Sequence, residues 1–171
     1  RNGHLTDVAE KAELGHSGAC GARAGWLEYG PDARLDFFVA NHVEFSYSDP
    51  ENCEFAGQPA YCAQTEYQGS PPRLYHNNGD GTFTDVSVAS GIAALTGRAL
   101  GVVAVDSDGD GWVDLFVARG ASPNLLLINQ HDGTFRDKGI EKEIPYNVDG
   151  VARSGMGVDA ADINSRGVPG F

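Results

Sequence analysis

The chain has 171 residues, enough for one sizeable core, and carries 12 Lys plus Arg against 24 Asp plus Glu for a net charge of −12. That balance excludes the positive footprint that nucleic acid or an anionic membrane surface requires, and it suits cation binding. No apolar run of about 18 residues exists to cross a membrane as a helix, and 23 glycines with 41% hydrophobic residues point to many short strands and turns.

A chain that opens at Arg1 rather than Met is expected to be a processed or trimmed piece of a longer product. His4-Leu-Thr-Asp7-Val is the weak first copy of a segment that recurs downstream. Cys20 is the odd one of three cysteines, either a small buried residue or the partner of a cysteine outside this chain. Next comes Glu28-Tyr-Gly30-Pro-Asp32-Ala33-Arg-Leu-Asp36, with acids at positions 1, 5 and 9, Gly at 3 and Ala at 6. Glu28, Asp32 and Asp36 are thus candidate ligands of a weak or empty metal site. Cys53 and Cys62 bracket a bent loop containing Gly57 and Pro59, which a disulfide between them would hold. Zinc is not expected there, because neither a CxxC nor a nearby His pair is present. Residues 64–72, with Gly and two Pro, read as a loop of the kind in which recognition sits.

Residues 73–77 read as a strand entering the Asn78-Gly-Asp-Gly turn and leaving through Thr82-Phe83, a hairpin signal. The segment Asn78-Gly-Asp-Gly-Thr-Phe-Thr-Asp85-Val recurs as Gln130-His-Asp-Gly-Thr-Phe-Arg-Asp137-Lys, again after a strand, residues 123–129. Asp7 precedes Glu28 by 21 residues, Asp85 precedes Asp106 by 21, and Asp137 precedes Asp162 by 25. A fixed spacing of this kind marks a repeat. Each unit reads as a meander of about four short antiparallel strands, the composition of a β-propeller blade.

The most informative stretch is Asp106-Ser-Asp108-Gly-Asp110-Gly111-Trp-Val-Asp114, with carboxylates at positions 1, 3, 5 and 9 and Gly at 6, where the backbone must turn. A hard divalent cation takes about six to eight oxygen ligands from a short flexible segment, and Ca²⁺ is the cation this spacing suggests. The opening resembles an EF-hand, but position 12 is Val117 instead of Glu. The flanks, residues 101–105 and 112–118, are β-branched and aromatic strands where an EF-hand has helices. The last copy, Asp162-Ile-Asn164-Ser-Arg166-Gly167-Val-Pro-Gly170, has Arg at position 5 and no carboxylate at 9. Asp162 and Asn164 would form a weak site at most, and Arg166 is expected to replace the ion by pairing with Asp162.

The DxDxDGxxD loop between strands, with NNGDGTFTDV upstream and DLFVA downstream, resembles the FG-GAP/VCBS propeller repeats. It is similar in particular to the bacterial group with the ASPIC and UnbV domain, related to cartilage acidic protein. Residues 73–92, 100–120 and 154–162 carry the likeness, as do residues 37–45, the two-cysteine loop and Pro72-Arg-Leu-Tyr75. The resemblance implies an all-β propeller with Ca²⁺ in inter-strand loops, held by Asp106, Asp108, Asp110 and Asp114 and by the main-chain carbonyl of Trp112. It also implies an extracellular, cell-surface or periplasmic setting. The work implied is adhesion or protein interaction rather than catalysis, with protein partners, self-association or glycans as what is bound.

Three units are expected: a first blade with a cysteine-bracketed insertion at 1–72, a second with the intact loop at 73–122, and a third, incomplete, at 123–171. Propellers have about 4–8 blades, so three units make a fragment, or other chains complete the sheet edges. A structural subunit or filament protomer is therefore an alternative to the interaction module. A calcium-assisted hydrolase is another, but no GxSxG, P-loop or HExxH motif is present and the sequence names no nucleophile or base beside the loop. The five histidines, His4, His16, His42, His76 and His131, read as turn and surface polar groups. Phe37, Phe38, Phe83, Phe116 and Phe135 read as blade-to-blade packing.

Overall fold

The computed structural model describes residues 3–15, 19–48, 51–162, 165 and 169–170. Apart from two single-turn 3-10 helices, every element named among them is a β-strand. The strands are β1 (Ala19–Leu27), β2 (Asp36–Glu44), β3 (Cys53–Phe55), β4 (Gln58–Ala60), β5 (Arg73–Asn77), β6 (Phe83–Asp85), β7 (Ala99–Val105), β8 (Asp114–Arg119), β9 (Leu125–Asn129) and β10 (Phe135–Asp137). They pair as two four-stranded antiparallel sheets, β1-β2-β5-β6 and β7-β8-β9-β10, and as a separate two-stranded arm, β3-β4. The fold is all-β, and each large sheet is a meander of the kind that forms a propeller blade.

The sheets divide the chain elsewhere than the sequence units do. The expected boundary at residue 73 falls between two paired strands, since Phe38 of β2 sits opposite Leu74 of β5. The boundary at 123 likewise separates β8 from β9, which pair through Leu115 and Leu127. The recurring Asp-Gly-Thr-Phe turn joins the last two strands of each sheet. The connector between the two sheets runs between Asp85 and Ala99. After Asp137 the described residues hold only two isolated bridges, Tyr146 to Ala152 and Ala161 to Gly170.

The connectors are themselves repeated. Asp7, Asp85 and Asp137 each accept the backbone N–H two residues on, from Ala9, Ser87 and Gly139. Phe83 in β6 donates its N–H to Ala12, and Phe135 in β10 donates to Ser90. The outer strand of each sheet is therefore hydrogen-bonded to the connector that leads into that sheet. The weak first copy at residues 4–8 is a working part of the repeat.

The core lies between the sheets. Leu27, Phe38, Ala40 and Leu74 of the first sheet meet Val102, Leu115, Val117, Leu125 and Leu127 of the second, with Ile92 from the connector. Gly25 faces Val102 across this seam, where an added Cβ would lie in ordinary contact at 3.5 Å. Phe38 is fully buried, and truncating such a ring to Ala costs about 3–5 kcal/mol. Every residue of β8 and β9 is buried, because a second cluster of Phe116, Ala118, Leu126 and Ile128 is covered by Ile144 and Val158. The first sheet is covered unevenly: Val39 and Tyr75 are buried on the face away from the second sheet. On its outer face Trp26, half exposed, packs against Phe37 and Phe83 with ring centroids 4.7 and 6.1 Å away.

Candidate metal site

The loop at residues 106–114 joins β7 to β8. Gly109 and Gly111 take φ of 80° and 89°, a left-handed backbone open to glycine at little cost. Two sharp turns in three residues aim successive N–H groups inward. Asp106 accepts three of them, from Gly109, Asp110 and Gly111, at 2.8, 3.2 and 2.9 Å. Asp114, fully buried at the start of β8, accepts the N–H and hydroxyl of Ser107 on one oxygen and the N–H of Asn129 on the other. These hydrogen bonds fix the orientation of both carboxylates within the loop.

Three of the four expected carboxylates converge. Asp106, Asp108 and Asp114 each place one oxygen within 4.8 Å of the others. Two oxygens held at about 2.3–2.6 Å by one Ca²⁺ are at most about 5 Å apart, so this cluster could hold a metal ion. Asp110 is not in the cluster. Its Oδ2 lies 2.6 Å from Nε2 of His131, and its Oδ1 accepts the N–H of Trp112 at 2.8 Å. That backbone N–H, with a further contribution from His131, holds the Asp110 carboxyl below the usual carboxylate range. The His131 ring in turn stacks on the indole of Trp112, centroids 4.7 Å apart and planes 16° apart.

The loop at residues 28–36 repeats this pattern bond for bond at four points. Glu28 at position 1 accepts the N–H of position 6, Ala33, as Asp106 accepts that of Gly111. Asp32 at position 5 accepts the N–H of position 7, Arg34, as Asp110 accepts that of Trp112. Asp36 at position 9 is fully buried and takes the N–H groups of Tyr29 and Asn77, as Asp114 takes those of Ser107 and Asn129. Ala33 is forced to φ of 57°, where the second loop has Gly111. Position 3 is Gly30, so no third carboxylate joins the others. Asp36 instead faces Nδ1 of His76 at 3.0 Å. Tyr29 nearby has its phenol pKa raised, by burial first and then by Asp36 and Asp32. Of the last loop, Asp162 is exposed. Asn164 and Arg166 lie outside the described residues, and with them the expected ion pair.

The two loops flank a cleft of about 440 Å³ lined by Tyr29, Asp32, His76, Trp112, His131 and Asp132. Four of its neighbours were not singled out as site residues from the sequence: His76, His131, Asn77 and Asn129. The signal that finds the asparagines is register within the repeat, since Asn77 and Asn129 each stand three residues before an Asp-Gly-Thr-Phe turn. No such signal exists for the histidines, which reach their aspartates from another hairpin. His131 has a φ of 65°, and its glycine counterpart Gly79 would fit that turn without strain.

Cys53 and Cys62 are joined by a disulfide. Cys20 is exposed and unpaired among the described residues, which overturns the buried alternative: β1 is an edge strand buried only at Leu27, its last residue, and Cys20 stands near its other end.

Comparison with known proteins agrees with this architecture. The model of the FG-GAP-like repeat matches residues 31–117 and again 106–169, the two matches overlapping on the three-carboxylate loop. A stretch of 78 residues, 44% of this chain, is 30% identical to cartilage acidic protein 1 of Xenopus tropicalis. That stretch spans 12% of the relative's length.

Proposed function

Since the chain belongs to the FG-GAP-like repeat family, we propose that it is a non-enzymatic, Ca²⁺-binding propeller module for protein interaction or adhesion in an extracytoplasmic assembly. The observation that carries the reading is the convergence of Asp106, Asp108 and Asp114 at the mouth of the β7–β8 hairpin. An ion there adds a cross-link between the strand that leads in and the strand that leads out. The ion's work is to stiffen a hairpin whose other face packs on the neighbouring sheet. Asp110 and the carbonyl of Trp112 complete the ligand set when Asp110 turns from His131 to the ion. The disulfide of the arm suits an oxidising compartment.

The hydrolase alternative has weaker support. His131 does supply a base beside the loop, but its Nε2 is engaged by Asp110. The one nearby hydroxyl of the loop, Ser107, is spent on buried Asp114. The filament alternative draws on the half-exposed Trp26 of the first sheet. Sedimentation tests it: a Trp26→Ser chain stays monomeric where the parent associates.

The calcium reading is tested by thermal unfolding. Saturation to about 100 times Kd stabilises by about 2.7 kcal/mol, which raises Tm by about 5–10 °C in a chain of this size. EDTA reverses the rise, and Asp108→Ala, which removes an exposed carboxylate from the cluster, abolishes it. A Tm indifferent to both calcium and EDTA sinks the proposal.

A further inference from the structure

The same connection is made twice in this molecule, at very different lengths. In the second sheet, the second and third strands are joined by residues 120–124; in the first, by residues 45–72. Five residues suffice for the turn, so pairing β2 with β5 does not require the other 23.

The base of this insertion is held rigidly. The Arg98 guanidinium donates to the carbonyls of Gln64, Thr65 and Tyr67 at 2.8, 3.1 and 2.8 Å. Gly69 runs so close to Gly97 that a Cβ on it would lie 2.8 Å from the Gly97 backbone. From this base the β3-β4 arm projects with its residues exposed apart from Cys53, which is half-buried. An arm that buries so little has no core of its own, and the Cys53–Cys62 disulfide supplies the missing constraint.

Its surface is unusual in two ways at once. Tyr47, Phe55 and Tyr61 are 93%, 79% and 104% exposed. Residues 45–72 hold four acidic residues, Asp49, Glu51, Glu54 and Glu66, and no Lys, Arg or His. Rigid, exposed aromatic side chains serve as anchors in interfaces, and acids set among them select a partner of opposite charge. A guanidinium meets both features, pairing with carboxylate and stacking on a ring.

We infer that the described, exposed part of the disulfide-tied insertion, residues 45–48 and 51–68, is the docking surface of this module, and that its occupant is an arginine-rich, basic protein segment. A second copy of this chain, at net charge −12, meets the arm with like charge. The inference rests on the interaction reading above and deepens it by naming the surface and the chemistry of the partner.

The test uses the full chain and fluorescein-labelled octa-arginine, with octa-glutamate as control, read by anisotropy. One variant, Glu51→Gln with Glu54→Gln and Glu66→Gln, removes three insertion charges; its control, Glu10→Gln with Glu13→Gln and Glu143→Gln, removes three elsewhere. The insertion variant raises Kd about tenfold, about 1.4 kcal/mol, and the control less than about twofold. Phe55→Ser with Tyr61→Ser raises Kd about threefold or more at unchanged charge. Equal losses in the two charge variants show that net charge alone binds the peptide, and overturn the inference. So does a dimer in sedimentation that Phe55→Ser with Tyr61→Ser dissolves, which would make a second copy the occupant, and so does failure of the parent chain to bind octa-arginine. Calcium-dependent Tm is measured on each variant: if that rise survives while binding ignores the insertion, the module reading stands and this inference falls.

Discussion

The loops at residues 28–36 and 106–114 differ at position 3, Gly30 against Asp108, and at position 6, Ala33 against Gly111, while their carboxylate-to-backbone hydrogen bonds correspond at positions 1, 5 and 9. The same hydrogen-bonded turn is present in the loop that lacks the third carboxylate. Two separate layers are therefore written into one motif. Positions 1, 5 and 9 build the turn by accepting N–H groups, and position 3 converts the turn into a cation cluster. From the sequence these acids read as cation ligands; in the structure Asp106, Asp110 and Asp114 also accept backbone N–H groups.

The largest test of this division is at position 9. Asp36→Ala and Asp114→Ala each remove a fully buried acceptor from two backbone N–H donors, and each costs about 3 kcal/mol in urea unfolding with EDTA present. If Asp36→Ala is neutral, the loops are not equivalent and the shared-scaffold argument collapses. Next is a gain of function. An added Cβ at Gly30 meets nothing within 4 Å and the residue is not left-handed, so Gly30→Asp restores position 3 and calorimetry detects a second calcium per chain. Saturated to about 100 Kd, that second site adds about 2.7 kcal/mol at most; a stoichiometry that stays at one shows that position 3 is not what the first loop lacks.

Position 6 carries a smaller effect of opposite sign in the two loops. Gly111→Ala forces a side chain into the left-handed region and destabilises by about 1–2 kcal/mol. Ala33→Gly relieves that strain, less the entropy glycine loses on folding, and gains about 0.5 kcal/mol. Finding both changes unfavourable would mean that Ala33 is held by contacts the second loop does not share.

The smallest effect concerns the outer turns, where the sheets do not differ. Asp80 and Asp132 are held below the usual carboxylate range, first by the hydroxyls and then by the N–H groups of Thr82 and Thr134. A lowered folded pKa gives stability that is complete above the unfolded value of about 3.9 and fades as pH falls through the folded one. Asp80→Asn and Asp132→Asn should therefore flatten the acid limb of unfolding, followed by circular dichroism from about pH 5 down, to the same small extent. A change in one turn only would set the two sheets apart at this level too.

Much of this was legible in the chain. Asn78-Gly-Asp-Gly, the β-branched flanks and the acid spacing encode hairpins through local backbone preference, and the two-cysteine loop closes on itself within ten residues. The location of the sheet break was not, because a turn motif states that two strands pair and is silent about which further strand joins them. Nor was the grouping of Asp110 with His131 rather than with its own loop, since the two meet across 21 residues from separate hairpins.

By itself, then, the sequence determined the repeat, the all-β class, the loop positions and the disulfide, since each depends on residues near in the chain and on steric rules that act locally. The tertiary structure alone decided that Asp36 and Asp114 are buried posts for Asn77 and Asn129, that His131 holds Asp110, and that the β3-β4 arm stands exposed beyond a base clamped by Arg98. Those outcomes depend on which strands lie side by side, and strand order is set by packing of whole sheets, where no single segment carries the information.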